Sequence, residues 1–169
     1  MNRWLDRTDR VLEWVMISLM IVLVLDVTWQ VVARYLIGEA SSFSEEVARF
    51  LLIWIGLLGA AYAYRKKMHL AFDYFTEKAE GRILKWMNLL IHFVIALFSL
   101  LVLVLGGFYL VFITWELNQV SASLQIPLAV VYTALPLSGL LILLYSAGFI
   151  RDMWENDVQT EMKTKRGAA

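Results

Sequence analysis

The chain has 169 residues, 60% of them hydrophobic, with 15 Lys and Arg against 15 Asp and Glu and no cysteine. A soluble domain is nearer half apolar and about a quarter charged, and here the charges are bunched, so the composition excludes a soluble domain. The absence of cysteine excludes disulfides and thiol chemistry; the zero net charge, with its cations split among three flanks, says nothing about nucleic acid, and none is expected as a partner.

From Trp86 to Ile150 the only Asp, Glu, Lys or Arg is Glu116. A bilayer core takes about 20 apolar residues per helix, so the pattern predicts an all-α integral membrane protein: one membrane domain, residues 1–169, with four transmembrane helices. Residues 2–13 place Trp4, Leu5, Thr8, Val11 and Leu12 on one helical face and Arg3, Asp6, Arg7 and Arg10 on the other. That spacing predicts an N-terminal amphipathic helix lying in the membrane interface, with a helical extension of the first span as the alternative. The apolar region behind it is too long for a cleaved signal peptide.

The first span is expected at residues 15–37. Asp26, Gln30 and Arg34 fall at i, i+4 and i+8 and so share one face. A charge at mid-bilayer costs about 2.5–3.5 kcal/mol, so such residues face protein or water. The stripe reads as polar glue between helices. A proton or ion relay would want further ionisable groups opposite, and the third and fourth spans supply only His92.

Gly38 to Ser44 is a short loop, and Ser42 with Glu45 fits a capping box opening the second helix, residues 45–65. The uncharged core of that helix, Phe50 to Tyr64, measures only about 22 Å, short of the roughly 30 Å hydrocarbon core. Arg49 and with it Glu46 are therefore expected at or inside the membrane boundary, with Arg49 neutralised by Glu45 at i, i+4 or Glu46 at i, i+3. Gly56 and Gly59 permit a close helix approach. Residues 65–85 are polar and basic. His69 and Asp73 stand at i, i+4 there, a hydrogen-bonded structural pair in preference to a metal site.

The third span, residues 86–115, carries Trp86 and Trp115 at its ends, which with Trp4 are candidate interface anchors. As one helix it would be about 45 Å long, so it must tilt, protrude or begin in the interface. His92 and Asn88 share a face near its basic end, where an interhelical hydrogen bond is the expected use of His92. Residues 116–125 form a polar loop without Lys or Arg. The fourth span, residues 126–150, has Pro127 in its first turn, and Pro136 in its middle removes the bond to the Tyr132 carbonyl and should kink it. Residues 151–169 are a polar tail whose last ten residues are expected to be disordered.

Lys and Arg mark cytoplasmic segments. The N-terminal arm holds three, the segment after the second span six and the tail four, while the loops after the first and third spans hold none. Both termini are therefore expected inside.

The run Phe43-Ser44-Glu45-Glu46-x-Ala48-Arg49, then an apolar stretch with Trp54, Gly56 and Gly59, then Arg65, His69 and Asp73, resembles the signature of the small permease subunit, DctQ-like, of tripartite ATP-independent periplasmic (TRAP) transporters. Leu124-Gln125-Ile126-Pro127 through Tyr132 to Leu135-Pro136-Leu137 resembles the last span of the same family. The sequence departs from the family's pattern at Phe43, where Trp is frequent, and near Lys67 and Met68, where Gly is frequent. The resemblance implies a non-catalytic subunit of the bacterial inner membrane that braces a large permease. That partner would carry the sodium and substrate sites, and a periplasmic binding protein would deliver an organic acid, sialic acid or, next, a C4-dicarboxylate. It implies no cofactor in this chain. Three rivals stand beside it. A haem subunit would need His ligands facing one another, an autonomous small transporter would use Asp26 as its coupling acid, and a structural subunit could belong to another membrane complex.

Overall fold

A computed structural model describes residues 3–36, 42–66 and 82–167, and side-chain surroundings for residues 7–36, 42–66 and 86–151 within them. Its elements are α1 (Arg3–Leu36), α2 (Ser42–Arg65), α3 (Arg82–Phe98), a π-helical segment (Ser99–Gly106), α4 (Gly107–Glu116), α5 (Leu128–Tyr132) and α6 (Ala134–Gly167). Four stretches are long and apolar enough to cross a membrane: Arg7–Leu36, Ser42–Arg65, Trp86–Glu116 and Leu128–Arg151. The described residues form an all-α multi-pass membrane fold, with one isolated bridge, Val120 to Pro127, as their only β pairing.

The separate N-terminal amphipathic helix is not there: α1 runs without interruption from Arg3 to Leu36. No Gly or Pro stands between the arm and the span to break the backbone bonds. The acids of the arm also have a tertiary reason to stay in line, because Asp9 and Glu13 meet cations at the end of α2. Asp9 and Leu12 are buried, Asp26 and Gln30 half-buried and Ala33 buried. Their three- and four-residue spacing makes a narrow seam, and it faces α2.

α2 begins at Ser42, three residues ahead of the expected start, so Ser42 lies within the helix and the capping position falls outside the described residues. α2 packs on α6, and α6 packs on α3 and the π segment, giving the spatial order α1, α2, α6, α3. The fourth span is accordingly the most buried and the first the least. Ala61, Tyr64, Ile142, Tyr145 and Phe149 form the apolar core, with Ile95, Leu103 and Leu141 packed against it.

The close backbone approaches lie away from Gly56 and Gly59, where an added Cβ would meet nothing within 4 Å. They occur between the third and fourth spans. A Cβ on Gly139 would stand 2.7 Å from Leu103 Cβ, and one on Gly107 would stand 2.8 Å from Pro136 Cδ. The buried Ser99 hydroxyl donates to the Gly139 carbonyl at 2.8 Å, and the Ser146 hydroxyl donates to the His92 carbonyl at 3.0 Å. The π segment lies at this approach. The third span is thus not the single α-helix of the length argument, since eight of its residues follow the wider turn. The fourth span is interrupted at Thr133, three residues before Pro136, where α5 ends and α6 begins. Pro136 has no N–H to offer the Tyr132 carbonyl, and the Leu137 amide donates to Thr133 at 3.2 Å. α6 continues to Gly167, through residues expected to be disordered. Lys, Glu, Gln and Met favour helix, and no Gly or Pro intervenes before 167.

Candidate functional site

Two polar clusters sit at opposite ends of the helices. At the basic end, Arg65 Nε lies 3.1 Å from Asp9 Oδ2, with the two side chains only 19% and 12% exposed. The guanidinium also lies over the rings of Tyr145 and Phe149, 5.7 and 5.6 Å from their centroids, a favourable placement for a desolvated cation. One turn along α1, Glu13 accepts a hydrogen bond from the Tyr62 hydroxyl and stands 3.6 Å from Lys66 Nζ. Asp9 Oδ1 and the Tyr145 hydroxyl are both buried at this end.

Deeper at this end, the Tyr64 hydroxyl and His92 Nδ1 share a hydrogen bond of 2.7 Å. The His92 ring stacks on Phe149 at 5.0 Å, and Tyr64 meets both rings edge-on. His92 therefore ties α2, α3 and α6 together. Among the described residues no three His, Cys, Asp or Glu side chains gather as a metal site. His69 and Asp73 lie outside the described residues.

At the opposite end Gln30 Nε2 donates to Asp26 Oδ2 at 2.9 Å and across the seam to the Ser44 carbonyl at 3.0 Å. Arg34 does not join this pair; it is exposed in the last turn of α1. Arg49 pairs with Glu45 at 3.3 Å, but the two side chains are 65% and 67% exposed. Glu46, the other candidate partner of Arg49, turns to the loop between α4 and α5. There its carboxylate accepts from the Ser121 hydroxyl and from the amides of Ala122, Ser123 and Leu124 at 3.1, 3.1 and 3.0 Å. Sequence reasoning missed this contact, which joins residues 75 to 78 positions apart. The one signal was a loop without Lys or Arg beside an unmatched acid.

That loop is held by its own backbone hydrogen bonds. The Gln119 amide donates to Thr114, Ser121 to Ile126 and Leu128 to Gln119, at 3.1, 2.9 and 2.9 Å. Asn118 and Gln125 take left-handed φ angles of 48° and 54°. The Gln125 side chain donates to the Ala122 carbonyl at 3.1 Å. Pro127 leads into α5 with φ −58° and ψ 121°. Trp86 and Trp115 are exposed near the two ends of the third span. Trp4 falls in α1, with its side chain outside the described residues.

These clusters join helices to helices. Residues 8–156 match the family described as tripartite ATP-independent periplasmic transporters, DctQ component. The sialic acid TRAP transporter small permease protein SiaQ of Vibrio cholerae is 35% identical over 66 residues, which cover 39% of this chain and 38% of SiaQ. The sialic acid TRAP transporter permease protein SiaT of Haemophilus influenzae is 30% identical over 76 residues, 45% of this chain and 12% of SiaT. The chain thus covers less than half the length of either relative. The family match takes in all four spans and both polar clusters, so the chain belongs to the DctQ component family of TRAP transporters.

Proposed function

We propose that this chain is the small membrane subunit that scaffolds the large permease of a TRAP transporter, for sodium-coupled uptake of an organic acid delivered by a periplasmic binding protein. The observation that carries the reading is the family match over residues 8–156, on a chain whose buried polar groups connect its own spans. A secondary transporter builds its site at mid-membrane from interrupted helices of repeated halves. Here the one deep acid, Asp26, accepts from Gln30, and the stripe ends there. Sodium and substrate are therefore assigned to the large subunit, and no cofactor to this one.

Two observations support the partner and the substrate. A stretch like this chain makes up 12% of SiaT, a longer polypeptide named as a permease. Both SiaQ and SiaT are named for sialic acid, which makes it the first substrate to test, with a C4-dicarboxylate second. The basic end, with Arg7, Arg10, Arg65, Lys66 and Arg151, faces the cytoplasm by the positive-inside rule. On this reading the subunit lies in the bacterial inner membrane with both termini inside.

The test is reconstitution in liposomes under an inward sodium gradient with binding protein supplied. This chain alone should take up no sialic acid. Adding the large permease should start uptake, and omitting this chain should abolish it. Sodium-driven uptake by this chain alone would overturn the reading and promote the autonomous transporter.

A further inference from the structure

The loop that Glu46 enters has the construction of an anion receptor. Residues 121–125 make a single helical turn, closed by the Gln125 amide donating to the Ser121 carbonyl at 3.2 Å and ended by the left-handed Gln125. The first turn of any helix leaves its amides without intrahelical partners. Successive amides in such a turn form a concavity that favours negative charge. Here the Ala122, Ser123 and Leu124 amides and the Ser121 hydroxyl converge on one carboxylate. Ala122 reaches Oε1, and the other three reach Oε2. A carboxylate has about four lone-pair sites, so Oε2, with three donors, is saturated while Oε1, with one, keeps room for another. The Ser121 hydroxyl is itself held in place, accepting from the Leu124 amide at 3.2 Å in a residue only 4% exposed. The receptor lies in the loop between the third and fourth spans and its occupant on the second, so the carboxylate acts as a ligand delivered by α2.

We infer that Ser121–Leu124 is a carboxylate-binding site whose resident ligand is Glu46, and that this ligand latches α2 to the hairpin formed by α4, the loop and α5. The site is specified by charge and by two oxygens in one plane, not by the tether. A free small carboxylate therefore fits it once Glu46 is shortened. A neutral amide at position 46 offers one acceptor oxygen in place of two and leaves donors unmatched. The inference does not depend on the transporter reading, because it concerns only contacts within this chain.

The experiment uses the full-length chain in detergent as wild type, Glu46→Ala and Glu46→Gln. Amide hydrogen exchange at residues 122–124 and the thermal midpoint are measured in sodium acetate and in sodium chloride at equal ionic strength. In wild type the three amides should exchange slowly and ignore acetate. In Glu46→Ala they should exchange roughly tenfold faster or more in chloride, the loss expected for charge-assisted hydrogen bonds. Acetate should restore slow exchange there and raise the midpoint, and formate should do the same. Glu46→Gln keeps the shape of the side chain, and its three amides should also exchange faster than in wild type, which preserves the comparison if the alanine variant does not accumulate. Equal exchange in all three chains would show a self-supporting loop and overturn the inference. Rescue of Glu46→Ala by chloride as strong as that by acetate, or by neither salt, would overturn the carboxylate site.

Discussion

Arg65 stands where three helices meet, and its surroundings decide what removing it does. Its charge is balanced by Asp9 on α1 and covered by the rings of Tyr145 and Phe149 on α6. Breaking a buried pair from one side strands a charge and costs about 3–5 kcal/mol, whereas replacing both partners costs less. Asp9→Ala should therefore destabilise the chain by about that amount, and Asp9→Ala combined with Arg65→Leu by markedly less, measured as unfolding midpoints in detergent. Tyr64→Phe leaves the ring in the core and removes only the hydroxyl from His92 Nδ1. It should cost about 1–3 kcal/mol, the penalty for an unsatisfied buried group. His92→Phe in the same background should add little further loss at that bond, and strict additivity would show that the two side chains are not partners. At this scale the sequence was only partly readable. Arg65 stood out as the start of a basic stop, but its partner lies 56 residues away, beyond any local spacing rule. Glu46 was read only as one of two candidate partners of Arg49 for the same reason. A helical neighbour, Arg49, was visible at i, i+3, and four donors from another hairpin were not.

Between whole helices, what matters is where a side chain has no room. Gly107 and Gly139 hold the third and fourth spans together at distances that a methyl group would violate. Gly56, which the sequence pattern singled out, opens onto empty space within this chain. Overpacking a close contact costs about 1–3 kcal/mol. Gly139→Ala should lower the stability of the isolated chain by about that amount, while Gly56→Ala should leave it unchanged or slightly raised, since Ala is the better helix former. Thermal unfolding of the two variants side by side checks the pair. A neutral Gly139→Ala would mean that Leu103 and Val104 shift freely. Helix number followed from hydropathy, because apolar length is a local property. The π segment carried no such mark, for it lies in a run of Leu and Val that reads as ordinary helix. Its wider turn coincides with the Gly139 contact, which is a property of two elements and not of one.

The molecule taken whole shows helices ordered α1, α2, α6, α3, with the first span least covered. Trp14, Leu25, Trp29, Phe93, Phe108 and Phe112 are all exposed in the isolated chain. In a bilayer such surface meets lipid or another membrane protein. The exposed Glu45–Arg49 pair and Arg34 lie at one end of this surface. Exposed ion pairs contribute roughly 0–1 kcal/mol, so Arg49→Ala should hardly change the unfolding midpoint of the chain alone. On the proposed scaffold role, Arg34→Ala and Arg49→Ala should reduce co-purification with the large permease several-fold. Unchanged recovery of the pair from the same membranes would remove both residues from the subunit contact.

The reach of Glu46 across the sequence also sets an order of events during synthesis. α1 and α2 can pair along their seam as soon as both are made, while the amides that receive Glu46 arrive only after the third span has been translated and has crossed. Until then a carboxylate waits at the membrane boundary without its donors. Latch closure therefore reports that the second hairpin has been inserted in the right sense, since a third span threaded the other way would leave residues 121–124 on the opposite side of the bilayer. A chain stalled after the second span, or carrying an inverted second hairpin, displays an unsatisfied acid beside a bare helical face.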